Sequence, residues 1–60
     1  MKVKELIQIL VKIDQDKEVF VSRDEEGNGY GTLDKSSVED NGKSVVLYPY
    51  EEYVDENKIF

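Results

Sequence analysis

Val3-Lys4-Glu5-Leu6-Ile7-Gln8-Ile9-Leu10-Val11-Lys12-Ile13 is the stretch that decides the fold. Val3, Leu6, Ile7, Leu10 and Ile13 recur at the spacing of one helical face, while Lys4, Glu5, Gln8 and Lys12 fall on the other. Glu5 stands early in the run and Lys12 near its end, the order that suits the helix dipole. The spacing predicts an amphipathic helix over residues 3–13. Ile9 and Val11 lie off the central stripe, one on each flank at about 100° per residue. They widen the apolar arc to roughly 200°, about twice that of an ordinary surface helix. One small sheet face does not cover so wide an arc, so Ile9 and Val11 are expected to meet a second surface.

After this run the polar Asp14-Gln15-Asp16-Lys17 stops the helix. Residues 18–23 then alternate, with Val19 and Val21 on one face and Phe20 on the other, which predicts a strand. Asp24-Glu25-Glu26-Gly27-Asn28-Gly29-Tyr30-Gly31 reads as a loop because it carries three glycines in five residues. Residues 32–39 are a weaker strand candidate, with Leu33 and Val38 as apolar points. Asn41-Gly42 suits a two-residue type I′ turn, which would set Val38 opposite Val45 and lead into a strand over 43–50. Pro49 marks that strand as an edge or as near its end. The acidic tail, 51–60, is expected to form a helical turn, add to the sheet or dock on a partner. Together these segments predict an α+β fold. The N-terminal helix packs on a small antiparallel sheet of about three strands, in a single domain spanning 1–60.

Length and composition narrow the functional classes. A chain of 60 residues buries only about 60% of its unfolded surface, so its stability is marginal. Small domains offset this with disulfides, a metal or oligomerisation. With no Cys and no His, disulfides, thiolate and imidazole ligands and the commonest general base are all excluded. Oligomerisation is the remaining means, and a homodimer is the expectation. No apolar stretch approaches the roughly 18 residues needed to span a bilayer, and no secretory leader is evident, so a cytoplasmic protein is expected. The net charge is −6, with +2 in residues 1–12 and −8 in residues 13–60. Such a body repels nucleic acid and anionic lipid, so neither is expected as a direct partner.

Three constellations invite a chemical reading. Asp24, Glu26 and Asn28 occupy positions 1, 3 and 5 of a calcium loop, with Gly29 at the turn position. The bidentate Glu at the end of such a loop is replaced by Lys35, and the flanks read as strands, so a solvated turn is the better reading and no metal or cofactor is expected. The pairs Glu25–Glu26, Glu39–Asp40 and Glu51–Glu52 point to opposite faces of extended chain and do not converge for acid–base work. Tyr48, Tyr50 and Tyr53 cluster beside acids and suit a protein-contact patch, because Tyr is enriched at interface hot spots.

The run from Val3 to Tyr30, and above all Asp24-Glu25-Glu26-Gly27-Asn28-Gly29-Tyr30 placed one strand after the helix, resembles the opening of a group of small proteins common in bacteriophage and prophage genomes. It covers about half the chain and departs from the group's pattern at Gln15, where proline is frequent. The resemblance implies phage origin and a host-cytoplasm location. By analogy of class it implies an inhibitor of a host protein, such as an antiviral-defence component. The expectation is a non-enzymatic homodimer that binds and inhibits a host protein through Ile9, Val11, Tyr48, Tyr50 and Tyr53. The alternatives are a DNA mimic acting on a nucleic-acid-binding host enzyme, which the 13 acids after residue 12 suit and five interspersed bases dilute, and a weak divalent-cation module at Asp24, Glu26 and Asn28.

Overall fold

The computed structural model describes residues 1–60. The fold is α+β. Helix α1 (Val3–Leu10) precedes β1 (Phe20–Ser22), β2 (Tyr30–Thr32), β3 (Val38–Asp40) and β4 (Val45–Leu47). The strands form two separate two-stranded antiparallel sheets, β1–β2 and β3–β4, in place of the expected single three-stranded sheet.

The helix is shorter than the apolar pattern predicts. At its start the Lys2 N–H donates to the Glu5 carboxylate at 3.2 Å, one half of a capping box. The reciprocal bond is closed to lysine, whose side chain has no acceptor. Past Leu10 the bonds tighten to three-residue spacing, Lys12 to Ile9 and Ile13 to Leu10. Gln15 then folds back, its Nε2 donating to the carbonyls of Leu10 at 2.9 Å and Ile13 at 2.8 Å. The Leu10 carbonyl already accepts from Ile13, so Gln15 supplies it with a second donor and the Ile13 carbonyl with a partner it would otherwise lack.

The expected strand over 32–39 is broken in two. Asp34 accepts from the Ser36 N–H at 3.1 Å and the Ser36 hydroxyl at 2.7 Å, and its own N–H donates to the Ser37 hydroxyl at 3.0 Å. These side-chain bonds outcompete the ladder and wind Lys35–Ser37 into a 3₁₀ turn. In the β3–β4 hairpin, Val38 faces Leu47 instead of Val45. Gly42, at φ +88°, is the one turn residue with positive φ. Those are the φ signs of a type II′ turn with Gly42 and Lys43 at its centre, not of type I′ at Asn41 and Gly42. The register moves by two residues, so each side chain keeps the face its pattern assigns.

The tail adds to the first sheet. Tyr50 N–H donates to the Thr32 carbonyl and Thr32 N–H to the Glu51 carbonyl, both at 2.8 Å, so two tail residues oppose one strand residue as in a β-bulge. Further along, Val54 N–H donates to the Tyr30 carbonyl at 2.8 Å. The Phe60 ring closes edge-on against Tyr30 with centroids 5.7 Å apart.

No apolar residue is buried, and the two buried residues are Gly31 and Ser37. The expected packing of the helix on a sheet covers little of it, and of the stripe only Leu6 is even half-buried. Val3, Ile7, Leu10 and Ile13 stay exposed along with Ile9 and Val11. The chain exposes 5569 Å², where a compact monomer of its mass exposes about 4,000 Å². Its radius of gyration is 12.5 Å, against about 10 Å for a compact chain of this length.

Candidate functional site

An open groove of about 420 Å³ lies on the β1–β2 sheet. Val21, Tyr30, Pro49 and Tyr53 give it an apolar lining, with Arg23 and Glu52 as charged members. Gly31 makes the shape possible. A Cβ there would lie 2.7 Å from the Pro49 Cβ and 2.8 Å from the Glu51 carbonyl oxygen, so only glycine lets the tail cross β2 this closely.

Tyr53 sits at φ +63°, a region that aromatic residues rarely occupy. The conformation is held from both sides, by the Val54 bond to Tyr30 and the Glu51 bonds to Thr32. Tyr53 as a whole residue is 76% exposed, at the edge of the groove it lines. Strain of this kind persists only where surrounding structure enforces it, and it clusters at functional positions.

Of the five expected interaction residues, Tyr53 alone lines this groove. Tyr50 is exposed beside it in sequence, its backbone bonded to Thr32. Tyr48 is tied down, its hydroxyl donating to Glu39 Oε2 at 2.6 Å. That bond, reinforced by the Glu39 charge, pushes the Tyr48 phenol above its ordinary pKa. Ile9 and Val11 lie on the helix, 52% and 64% exposed, but Ile7 on the central stripe is 55% exposed too. The division into a covered stripe and bare flanks does not hold. Val21, Tyr30 and Pro49 escaped the sequence reading. The available signal was Gly31, a glycine beside apolar residues where another backbone passes.

Asp24, Glu26 and Asn28 do come together, but as a turn. Asp24 Oδ1 accepts from the Glu26 and Asn28 N–H groups, both at 3.1 Å, and Oδ2 accepts from Asn28 Nδ2 at 2.8 Å. Asn28 Nδ2 also reaches Glu26 Oε2 at 3.5 Å. The Asn28 bonds hold the Asp24 carboxyl below the usual carboxylate range. Asn28 thus turns a donor toward the carboxylates where a cation would need its oxygen. No group of three or more His, Cys, Asp or Glu is arranged to hold a metal ion.

The same bond recurs along the chain. Asp14, Asp24, Asp34, Asp40 and Asp55 each accept a hydrogen bond from the backbone N–H two residues ahead. Asp16 is the one aspartate outside the pattern. Much of the acidity therefore has a local structural use, in Asx turns.

No family model matches the chain, and no curated protein or solved structure matches it either. No helix is long and apolar enough to cross a membrane.

Proposed function

We propose that this chain is a phage-type accessory protein that binds and blocks a host protein in the host cytoplasm and carries out no chemistry of its own. The observation that carries this reading is Tyr53, held at positive φ with its ring exposed at a groove that Val21, Tyr30 and Pro49 make apolar. An aromatic anchor beside an apolar groove, flanked by charge, is the arrangement of a protein-binding hot spot. The DNA-mimic alternative is less favoured because five bases are interspersed among the 13 acids after residue 12.

The test is capture from host lysate on the immobilised full chain, with excess untagged chain as competitor and Tyr53→Gly as the variant. Glycine accepts positive φ, so the fold survives while the anchor is removed. The expected result is a single host protein displaced by competitor and lost with Tyr53→Gly. Capture that Tyr53→Gly leaves unchanged sinks the assignment. Capture that collapses with added salt regardless of Tyr53 favours the DNA mimic.

A further inference from the structure

We infer that the exposed face of α1, together with the neighbouring β3–β4 hairpin, is the interface of a symmetric homodimer. The inference rests on reading the chain as a binding protein, and it gives this second face to a second copy of the chain, leaving the Tyr53 groove to the host protein.

The area argument comes first. The chain exposes roughly 1,500 Å² more than a compact monomer of 6.9 kDa. Two copies that cover this excess bury about 3,000 Å², inside the roughly 2,000–5,000 Å² of obligate homodimers. Part of the exposed apolar surface lies on α1 and the β3–β4 hairpin. Val3, Ile7 and Leu10 on α1 are exposed, as are Val38, Val45 and Leu47 on the hairpin. A groove of about 630 Å³ lies between the two elements, lined by Val3 and Leu6 from the helix and Val45 and Leu47 from the hairpin, while Ile7, Leu10 and Val38 lie outside it. Exposed Val3, Val45 and Leu47 give its walls an apolar part for a partner to cover.

Symmetry favours a second copy as the occupant. An antiparallel helix pair about a dyad between Leu6 and Ile7 sets Val3 against Leu10 of the second copy and Leu6 against its Ile7. Every facing position is then aliphatic, and one patch serves both subunits, as a two-fold interface requires. With no cysteine and no metal cluster, association is also the means left to so small a domain for completing a core.

Sedimentation of the full chain over a wide concentration range tests the proposal. The expected result is twice 6.9 kDa, with a thermal midpoint that rises with concentration because folding and association are linked. Ile7→Glu is expected to give monomer, and Gln8→Glu on the polar face to leave the dimer intact. Should Ile7→Glu fail to fold, methyl contacts between labelled and unlabelled wild-type copies at Ile7 and Leu10 decide the question. A monomer at every concentration with a fixed midpoint overturns the proposal, and so does a dimer without intermolecular contacts at those methyls. Either result leaves the Tyr53 groove untouched, because that site is read by host-protein capture.

Discussion

Gly31 and Pro49 touch across the sheet so closely that a single added carbon at Gly31 would stand 2.7 Å from the Pro49 Cβ. Gly31→Ala must push the tail off β2 and weaken the Thr32–Glu51 and Tyr50–Thr32 bonds. Overpacking of this kind costs about 1–3 kcal/mol. The expected outcome is a lower urea midpoint with faster amide exchange at Tyr50 and Val54. Unchanged exchange at both amides would show that the tail does not depend on the crossing.

Tyr53→Gly separates strain from contact. Replacing a side chain at φ +63° relieves about 1–2 kcal/mol of backbone strain, while the freer unfolded chain takes back about 0.5–1 kcal/mol. Stability is therefore expected to change by between nothing and about 1.5 kcal/mol, in the stabilising direction. Urea unfolding measures it. A loss of several kcal/mol would mean that the ring itself holds the tail in place.

The aspartate turns make the fold acid-sensitive. Asp34 is lowered by its bonds to Ser36, and Asp24 by its bonds to Asn28. A carboxyl whose folded pKa is depressed contributes stability above its unfolded pKa, and that contribution is lost as pH falls through the folded value. The Ser36 and Asn28 amide shifts are expected to titrate below the usual carboxylate range, alongside a loss of stability there. Asp34→Ala is expected to lower the urea midpoint at neutral pH, whereas Asp16→Ala, which removes no turn bond, leaves it in place.

At the alkaline end the controlling pair is Tyr48 and Glu39, whose hydrogen bond and charge raise the phenol pKa. The bond contributes stability in full below the unfolded phenol pKa and loses it as pH rises through the raised folded value. Ultraviolet titration of phenolate is expected to show one tyrosine ionising late. Glu39→Gln should return that tyrosine toward the ordinary range. If it does not, another cause holds the Tyr48 proton.

The Gln15 cap is separable from the helix pattern. Gln15→Ala frees the carbonyl of Ile13, leaves that of Leu10 with its Ile13 bond alone, and is expected to cost about 0.5–1.5 kcal/mol. Circular dichroism should show helicity falling at constant concentration. No change would place the helix stop in the three-residue bonds alone.

How much was legible in the sequence follows the range of the interactions. Helix α1 and its polar face follow from Val3, Leu6, Ile7 and Leu10, because periodicity is local. Strands β1 and β4 fall inside their expected ranges for the same reason. The 32–39 strand failed because Asp34 and Ser36 bond to each other and to the backbone, and hydrophobic pattern does not report such side-chain competition. The turn expected at Asn41-Gly42 sits one residue further on, at Gly42-Lys43, and is of another type, because Asn41 uses its side chain to accept from Lys43 and Ser44 in place of adopting positive φ. The Tyr53 groove was invisible because it depends on Gly31 meeting residues 49–51, far away in the chain. The tyrosines drew notice for their type, and only Tyr53 earned its place through geometry.

The five aspartate turns also bear on the order of events in folding. Each closes a loop of two residues, the least entropy a chain can give up for a bond. Both hairpins can then form early, from neighbours in sequence, at the rates expected of low contact order. The tail has to return across the β2 crossing at Gly31, and it joins later. Stopped-flow mixing is expected to show a fast phase insensitive to Gly31→Ala and a slower one that the substitution retards. A single phase retarded as a whole would place tail docking in the rate-limiting barrier.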